Sequence, residues 1–376
     1  MSIALHDARL RANPAYQAVP RNRLTAEDRS VLAVEPDNYG VLVPRSGSDL
    51  APMAIDRDTA LIFFTLQEPG PPPDFVFATG GIAGEQALCK LLLDRILELE
   101  GPAGYVSGPD ACALIGVAPV ENMNPVMRLS VEALQFASAW PVADVWTLAQ
   151  KLYGYNRRPL TPALRRRFSD DASIAEMLGI VDESPTRAAL DGYWAQQEQN
   201  AAWTVYVARR ATRRQGARPC KLYVAVAFEE LPRRLPAIVA ALGRSEAVQF
   251  KIGAGLSGLL RPDKFVAYFP SKDALLSATQ KLLPAIDGAA TQSVPFSAGI
   301  DASGLLSWGC DPLPGHFGER VSWRQWICGR SAEALVMARD HETEGLPGWR
   351  FALERLRLEG VDTETFIPTA NWSGEI

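Results

Sequence analysis

Histidine is scarce in this chain of 376 residues: His6, His316 and His341 are all it has, and no two are spaced as a metal-binding pair. Neither an HExxH string nor a DxDxDG loop occurs, so the familiar sequence routes to a protein-held metal are missing. The five cysteines, Cys89, Cys112, Cys220, Cys310 and Cys328, are odd in number, widely separated and without a CxxC pair. That pattern argues against a disulfide framework or a zinc ribbon and for reduced thiols. No GxSxG string is present to raise a serine nucleophile. Long apolar runs are absent too. ALIFFTL, Ala60 to Leu66, is far too short to span a bilayer, and the N-terminal MSIALHDARLRANPAY carries charges where a secretory signal needs an apolar run. The expectation is a soluble, cytoplasmic protein with no membrane partner, no metal and no cofactor.

What the chain does have is ordinary globular material: 47% hydrophobic residues and a formal net charge of -5, enough to bury a sizeable core divided between domains. Residues 1–140 read as a smaller N-terminal α+β region of unassigned role. In it TALIFFTL and DFVFATG read as strands flanking the proline-rich QEPGPPP. EQALCKLLLDRILELEG reads as a helix with Leu88, Leu92, Leu93, Ile96 and Leu99 on one stripe and Gly101 as its stop. The stretch DFVFATGGIAGEQALCK has the strand, glycine loop and helix order of a nucleotide fingerprint, but Gly80, Gly81 and Gly84 lack the GxGxxG spacing, so a structural turn is the reading.

Residues 141–219 read as a helical, Arg-rich connector. Pro141 suits the first turn of PVADVWTLAQKLYGY, whose Val142, Val145, Leu148 and Leu152 share a face. Arg157, Arg158, Arg165, Arg166, Arg167, Arg209, Arg210, Arg213, Arg214 and Arg218 make this segment basic within an acidic whole. Interleaved aromatic stacking motifs are lacking, which speaks against nucleic acid as a partner.

Residues 220–376 carry the clearest pattern. KLYVAVAF alternates Leu222, Val224, Val226 and Phe228 with Tyr223, Ala225 and Ala227, as a half-buried strand does. LPAIVAALG follows as a helix with Leu235, Ile238, Val239 and Leu242 inward and Gly243 as its stop. Then come the strands AVQFKI and KFVAYF, a helix that Ser271 caps, the extended SVPFSAGI, and C-terminal helices around 321–339 and 349–358. The order β-α-β-β-α-β predicts an α+β fold with an antiparallel, split-βαβ-like sheet and helices on one face.

Four charged residues, Lys251, Arg261, Asp263 and Lys264, gather around the glycine-rich turn of FKIGAGLSGLLRPDKFVAYF. Lys251 alternates with Phe250 and Ile252 and so points to the side opposite the large apolar groups. With normal hairpin pairing, Lys251 and Arg261 come within reach of one oxyanion, a compact charge beside a two-pronged donor. A solvated hairpin end, with Arg261 paired to Asp263, is the plain alternative.

The ordered segments KLYVAV, FKIGAGLSGLLRPDKFVAYF, VPFSAGIDASGLLSWGCDP, HFGERVSWRQWICGRSAEALVMA and LEGVDTETFIP resemble the HopA-type effector family over about residues 145–370. Ser297 stands where the family pattern has Thr, and Trp308 and Cys310 alter the loop that follows. Members occur as type III secretion effectors and beside kinases in lanthipeptide and thioamitide-type biosynthesis of ribosomally made peptides. The resemblance implies a metal-free lyase that removes phosphate from phosphorylated Ser or Thr of a precursor peptide, with a kinase as a possible partner. It equally accommodates a non-catalytic peptide-binding subunit or an effector that binds a host protein. For the lyase, Lys251 is the expected base, Arg261 the phosphate clamp, and His316 or Lys264 the leaving-group helper. Asp263, Tyr223, Tyr268 and Arg324 are the remaining candidates to line the substrate cleft.

Overall fold

The computed structural model describes residues 3–32, 34–78, 81–117, 119–120, 123–141, 144–210, 220–311, 321–339 and 346–369. They fall into two compact units, one from the described residues of Met1–Pro119 and Arg330–Glu359, the other from those of Val120–Leu313, Val321–Gly329 and Gly360–Ile376. The fold class is α+β, with antiparallel sheets throughout.

The first unit holds two three-stranded sheets and several short helices, and here the sequence pattern misleads. TALIFFTL is a helix, Arg57–Thr65, because Asp56 caps it: its carboxylate accepts the Thr59 N–H at 2.6 Å, and Ala60 and Phe63, one turn apart, are buried. DFVFATG likewise contains a short helix, Asp74–Phe77, entered from Pro73. Gly84, in the helix Gly81–Leu93, is there for packing, since a Cβ would stand 2.4 Å from the Val76 carbonyl oxygen. That helix ends well before Gly101. Arg95 takes a left-handed φ of 63°, the chain turns, and Leu97–Gly101 becomes a strand paired to Leu10–Ala12.

The second unit is built on a seven-stranded antiparallel sheet. We number its strands β1 (Trp194–Gln199), β2 (Trp203–Ala208), β3 (Cys220–Val224), β4 (Gln249–Gly253), β5 (Phe265–Phe269), β6 (Ala298–Gly299) and β7 (Leu306–Cys310). Their spatial order is β6-β7-β3-β5-β4-β2-β1. Because β5 pairs antiparallel with both β3 and β4, those two run parallel with β5 between them, which is the split arrangement. Residues 144–210, read from sequence as a connector, supply four helices and the strands β1 and β2 of this sheet. The first of these helices, Val145–Tyr153, starts later than Pro141 because Asp144 caps it, accepting the Thr147 N–H at 2.7 Å. Arg213, Arg214, Arg218 and Val142 lie outside the described residues.

Two helices, Leu231–Gly243 and Lys272–Ile286, share one core with a single face of the sheet. Leu235, Ile238, Val239 and Leu242 point into it as their spacing requires, and Ser271 Oγ accepts the Ala274 N–H to cap the second helix. Strand β3 is buried on both faces rather than half-buried. Its two sides still separate: Leu222 and Val224 join the helix-side core, while Tyr223 and Ala225 join a small cluster with Val266 and Val294 on the opposite side.

Phe250 anchors the main core. Its ring stacks between Tyr206 at 4.8 Å and Phe265 at 5.0 Å and meets Trp194 edge-on at 4.7 Å. Phe250→Ala is therefore expected to cost about 3–5 kcal/mol in urea denaturation, with Phe250→Leu costing clearly less. Equal and small losses in both variants would show that this stack does not hold the sheet.

Candidate active site

Alternation along β4 sends Phe250 and Ile252 to the helix-side core and Lys251 to the opposite face. There Lys251 lies between Val205 of β2 and Val266 of β5. Its Nζ stands 4.1 Å from the centroid of the Trp203 ring and 5.8 Å from that of Tyr268. Among the described residues no carboxylate forms an ion pair with it. Burial pushes its amine down, and the neighbouring Lys221 charge pushes the same way, to about 8.

The turn after β4 is held by a close approach of two glycines, since a Cβ on Gly253 would lie 2.4 Å from the Gly258 carbonyl. It contains a short helix, Gly255–Leu259, before the chain reaches Arg261. Both prongs of the Arg261 guanidinium grip Asp263: Nε donates to Oδ1 and Nη2 to Oδ2, each at 2.9 Å. Arg324, 1% exposed, approaches the same carboxylate with Nη1 at 2.9 Å. Its Nε donates to the Pro295 carbonyl and its Nη2 to the Tyr153 carbonyl, both at 2.9 Å. The Tyr153 hydroxyl completes the set, donating to Asp263 Oδ2 at 3.1 Å and accepting from Arg261 Nη2 at 3.2 Å. Burial alone pushes the Asp263 carboxyl up, but Arg324 and Arg261 outweigh it and hold the group well below the usual carboxylate range.

Lys221 of β3 is the cross-strand neighbour of Tyr268, with Nζ 5.7 Å from its ring centroid, and it forms an ion pair with Asp311 just beyond β7. Tyr223, two residues along β3, faces the same side and is buried, which raises its phenol. One face of the sheet thus presents Lys251, Lys221, Tyr268 and Tyr223, bordered by the Arg261, Asp263, Arg324 and Tyr153 cluster.

Of the residues expected from sequence, Lys251, Arg261, Asp263, Tyr223, Tyr268 and Arg324 come together on this side. Lys264 sits apart from the Lys251 amine. It is fully buried, donates to the Val226 carbonyl at 3.0 Å, and has Asp263, Arg158 and Glu229 as its charged neighbours, burial pulling it down to about 7. His316 lies outside the described residues. Sequence reasoning missed Lys221, Asp311, Trp203 and Tyr153. Lys221 was the findable one, because it shares the parity of Tyr223 on the same strand. Among the described residues no group of three or more His, Cys, Asp or Glu side chains stands together as a metal site, and no helix is long and apolar enough to cross a membrane.

Removing the Asp263 charge leaves Arg324 buried without its partner, so Asp263→Asn is expected to cost about 3–5 kcal/mol at neutral pH. The folded-state pKa is depressed below the unfolded value of about 3.9, so this stability is fully present above about pH 4 and is lost as pH falls through the folded value. Denaturation of both proteins across pH should therefore show the gap between them closing in acid. A gap that stays constant down to pH 2 would contradict this assignment.

No protein-family model and no curated protein matches the chain. Among solved structures, it is similar to the effector protein from Pseudomonas syringae pv. tomato strain DC3000, at 14% identity and a TM-score of 0.43, covering 65% of this chain and 98% of that one. It is also similar to the effector protein from Pseudomonas syringae pv. syringae strain 61, at 12% identity and a TM-score of 0.39 over 65% and 98% of the two chains. A phosphothreonine lyase effector of Chromobacterium violaceum matches at 13% identity with a TM-score of 0.28, over 48% of this chain and 86% of that one.

Proposed function

We propose that this chain is a lyase that eliminates phosphate from phosphoserine or phosphothreonine in a peptide. The observation that carries the reading is Lys251: a half-buried lysine, unpaired by any described carboxylate, set against two aromatic rings and brought down to about 8. A lysine so placed is a base near neutral pH, whereas a free one at about 10.4 is not. In the proposed reaction the neutral Lys251 amine takes the Cα proton of the phosphoamino acid. The electron pair left on Cα forms the Cα=Cβ bond as the Cβ–O bond breaks. Phosphate departs with that bonding pair, and dehydroalanine or dehydrobutyrine remains.

Charge on the departing phosphate is met by Arg261 and Lys221. The Arg261 fork is occupied by Asp263, which fixes the guanidinium plane, while Nη1 keeps no hydrogen bond among the described residues and is free to meet an anion. A precursor peptide phosphorylated by a partner kinase is the substrate class that the resemblance to the HopA-type family supplies. The occupied fork also supports a second reading, a site that recognises a phosphopeptide without turning it over.

Mass spectrometry of phosphoserine and phosphothreonine peptides incubated with the protein separates these readings. Loss of phosphoric acid that vanishes in Lys251→Ala is the expected result; intact but bound peptides would establish recognition instead. For the lyase, kcat/KM should rise about tenfold per pH unit below 8 and level off above it, because the base acts in its neutral form. Lys221→Met removes the second-largest influence holding the Lys251 amine down and should move that midpoint to higher pH. A midpoint unchanged in Lys221→Met would detach the two lysines from one another.

A further inference from the structure

Lys251 has a long flexible stem and no carboxylate among the described residues to hold its end, yet a base must be held in place to act. From the shared placement of two cations on one indole, we infer that Trp203 is a positioning residue, which fixes the Lys251 amine beside the Arg261 guanidinium. The inference rests on the lyase reading of this site.

Trp203 opens β2, and its backbone is fixed at both polar atoms. Its N–H donates to Asn200 Oδ1 and its carbonyl accepts the Asn200 N–H, each at 2.9 Å. The preceding carbonyl, of Ala202, accepts the Ala254 N–H at 3.0 Å, which ties this strand end to the turn that leads to Arg261. Directly across from Trp203 in the sheet is Gly253, which has no side chain. Lys251 is the diagonal neighbour, a distance that a large ring spans. The indole accordingly reaches both cations, with Lys251 Nζ at 4.1 Å and Arg261 Cζ at 4.7 Å from its centroid. The two repel one another, and the negative face of the ring attracts each of them. Arg261 is also held by Asp263, so loss of the ring falls mainly on Lys251.

The charged and titratable groups around the amine are Lys221 and Asp311 from the β3 and β7 side, Arg261 and Asp263 from the turn, and Tyr268 of β5. None of them changes in a Trp203 substitution. Leucine and phenylalanine at 203 both shorten the apolar cover and let water nearer the amine, whose burial is the largest influence on it, but only phenylalanine keeps a ring quadrupole for the protonated amine. The Lys251 titration midpoint should then lie about half a unit to one unit lower in Trp203→Leu than in Trp203→Phe.

The test is an NMR titration of 13C-labelled lysine in wild-type protein, Trp203→Phe and Trp203→Leu, with the Lys251 signal assigned from Lys251→Met. Thermal melting accompanies it to verify that each variant is folded. The expected result is a lower midpoint in Trp203→Leu than in Trp203→Phe, with kcat on a phosphopeptide falling from wild type to Trp203→Phe to Trp203→Leu, about tenfold or more for leucine. A Lys251 midpoint in folded Trp203→Leu equal to or above that in folded Trp203→Phe overturns the inference. The titration needs no turnover, so it still decides the role of Trp203 if wild-type protein leaves phosphopeptides intact. Wild-type turnover with equal midpoints in the two variants would sink the Trp203 role alone.

Discussion

The site depends on one carboxylate. Asp263 is 4% exposed, and two arginines and a tyrosine converge on it from separate parts of the chain: Arg261 from the turn after β4, Arg324 from the helix Trp323–Arg339, and Tyr153 from the helix Val145–Tyr153. A buried guanidinium such as that of Arg324 is tolerable only with its charge matched, and here the Asp263 carboxylate matches it while two backbone carbonyls accept from Nε and Nη2. The same carboxylate orients Arg261, whose plane is then set by two parallel hydrogen bonds rather than by the choice of a ligand. For the proposed anion site, this means that the cation is committed before the anion arrives.

Commitment of Asp263 to the arginines has a second effect, on Lys251. A lysine beside a free carboxylate would be stabilised in its charged form and would be a poor base. On this face Asp263 is taken by Arg261 and Arg324, and Asp311 by Lys221, which leaves the Lys251 amine to aromatic rings. Burial and the Lys221 charge then lower the Lys251 amine against the smaller raising pull of Asp263 and Asp311.

Much of this was legible in the sequence because a strand has period two. The alternation of Phe250, Lys251 and Ile252 placed the lysine on the correct face, and that of Leu222 and Tyr223 did the same for β3. The order of elements from Cys220 onward fixed the split sheet. The strands β1 and β2 were hidden inside a segment whose arginines drew attention to charge, and Trp203 was lost with them. Tyr153 and Asp311 act from a helix end and a strand end, where no periodicity signals their direction. In the first unit the error was of another kind. Phe and Ile runs suggested strands where Asp56 and Pro73 start helices, and a leucine stripe carried a helix to Gly101 where the left-handed Arg95 turns the chain into a strand. Capping and a single positive φ outweighed propensity, which is weak over stretches this short.

On the proposed reading, charge balance favours a phosphomonoester over a neutral or singly charged group. Lys221, Lys251, Arg261 and Arg324 stand against Asp263 and Asp311, so the protonated site carries two positive charges in excess and the site with neutral Lys251 carries one. A phosphorylated side chain brings about -1.5 to -2. With Lys251 neutral, the bound substrate is slightly under-compensated. In the proposed elimination, Lys251 taking the Cα proton would add a positive charge within the same small volume in which the phosphate leaves. Electrostatic stabilisation is then greatest as the Cβ–O bond breaks rather than in the ground state, which is the condition for catalysis rather than tight binding. A site whose cations were all permanently charged would bind the substrate and the released phosphate alike, and would gain nothing from the proton transfer.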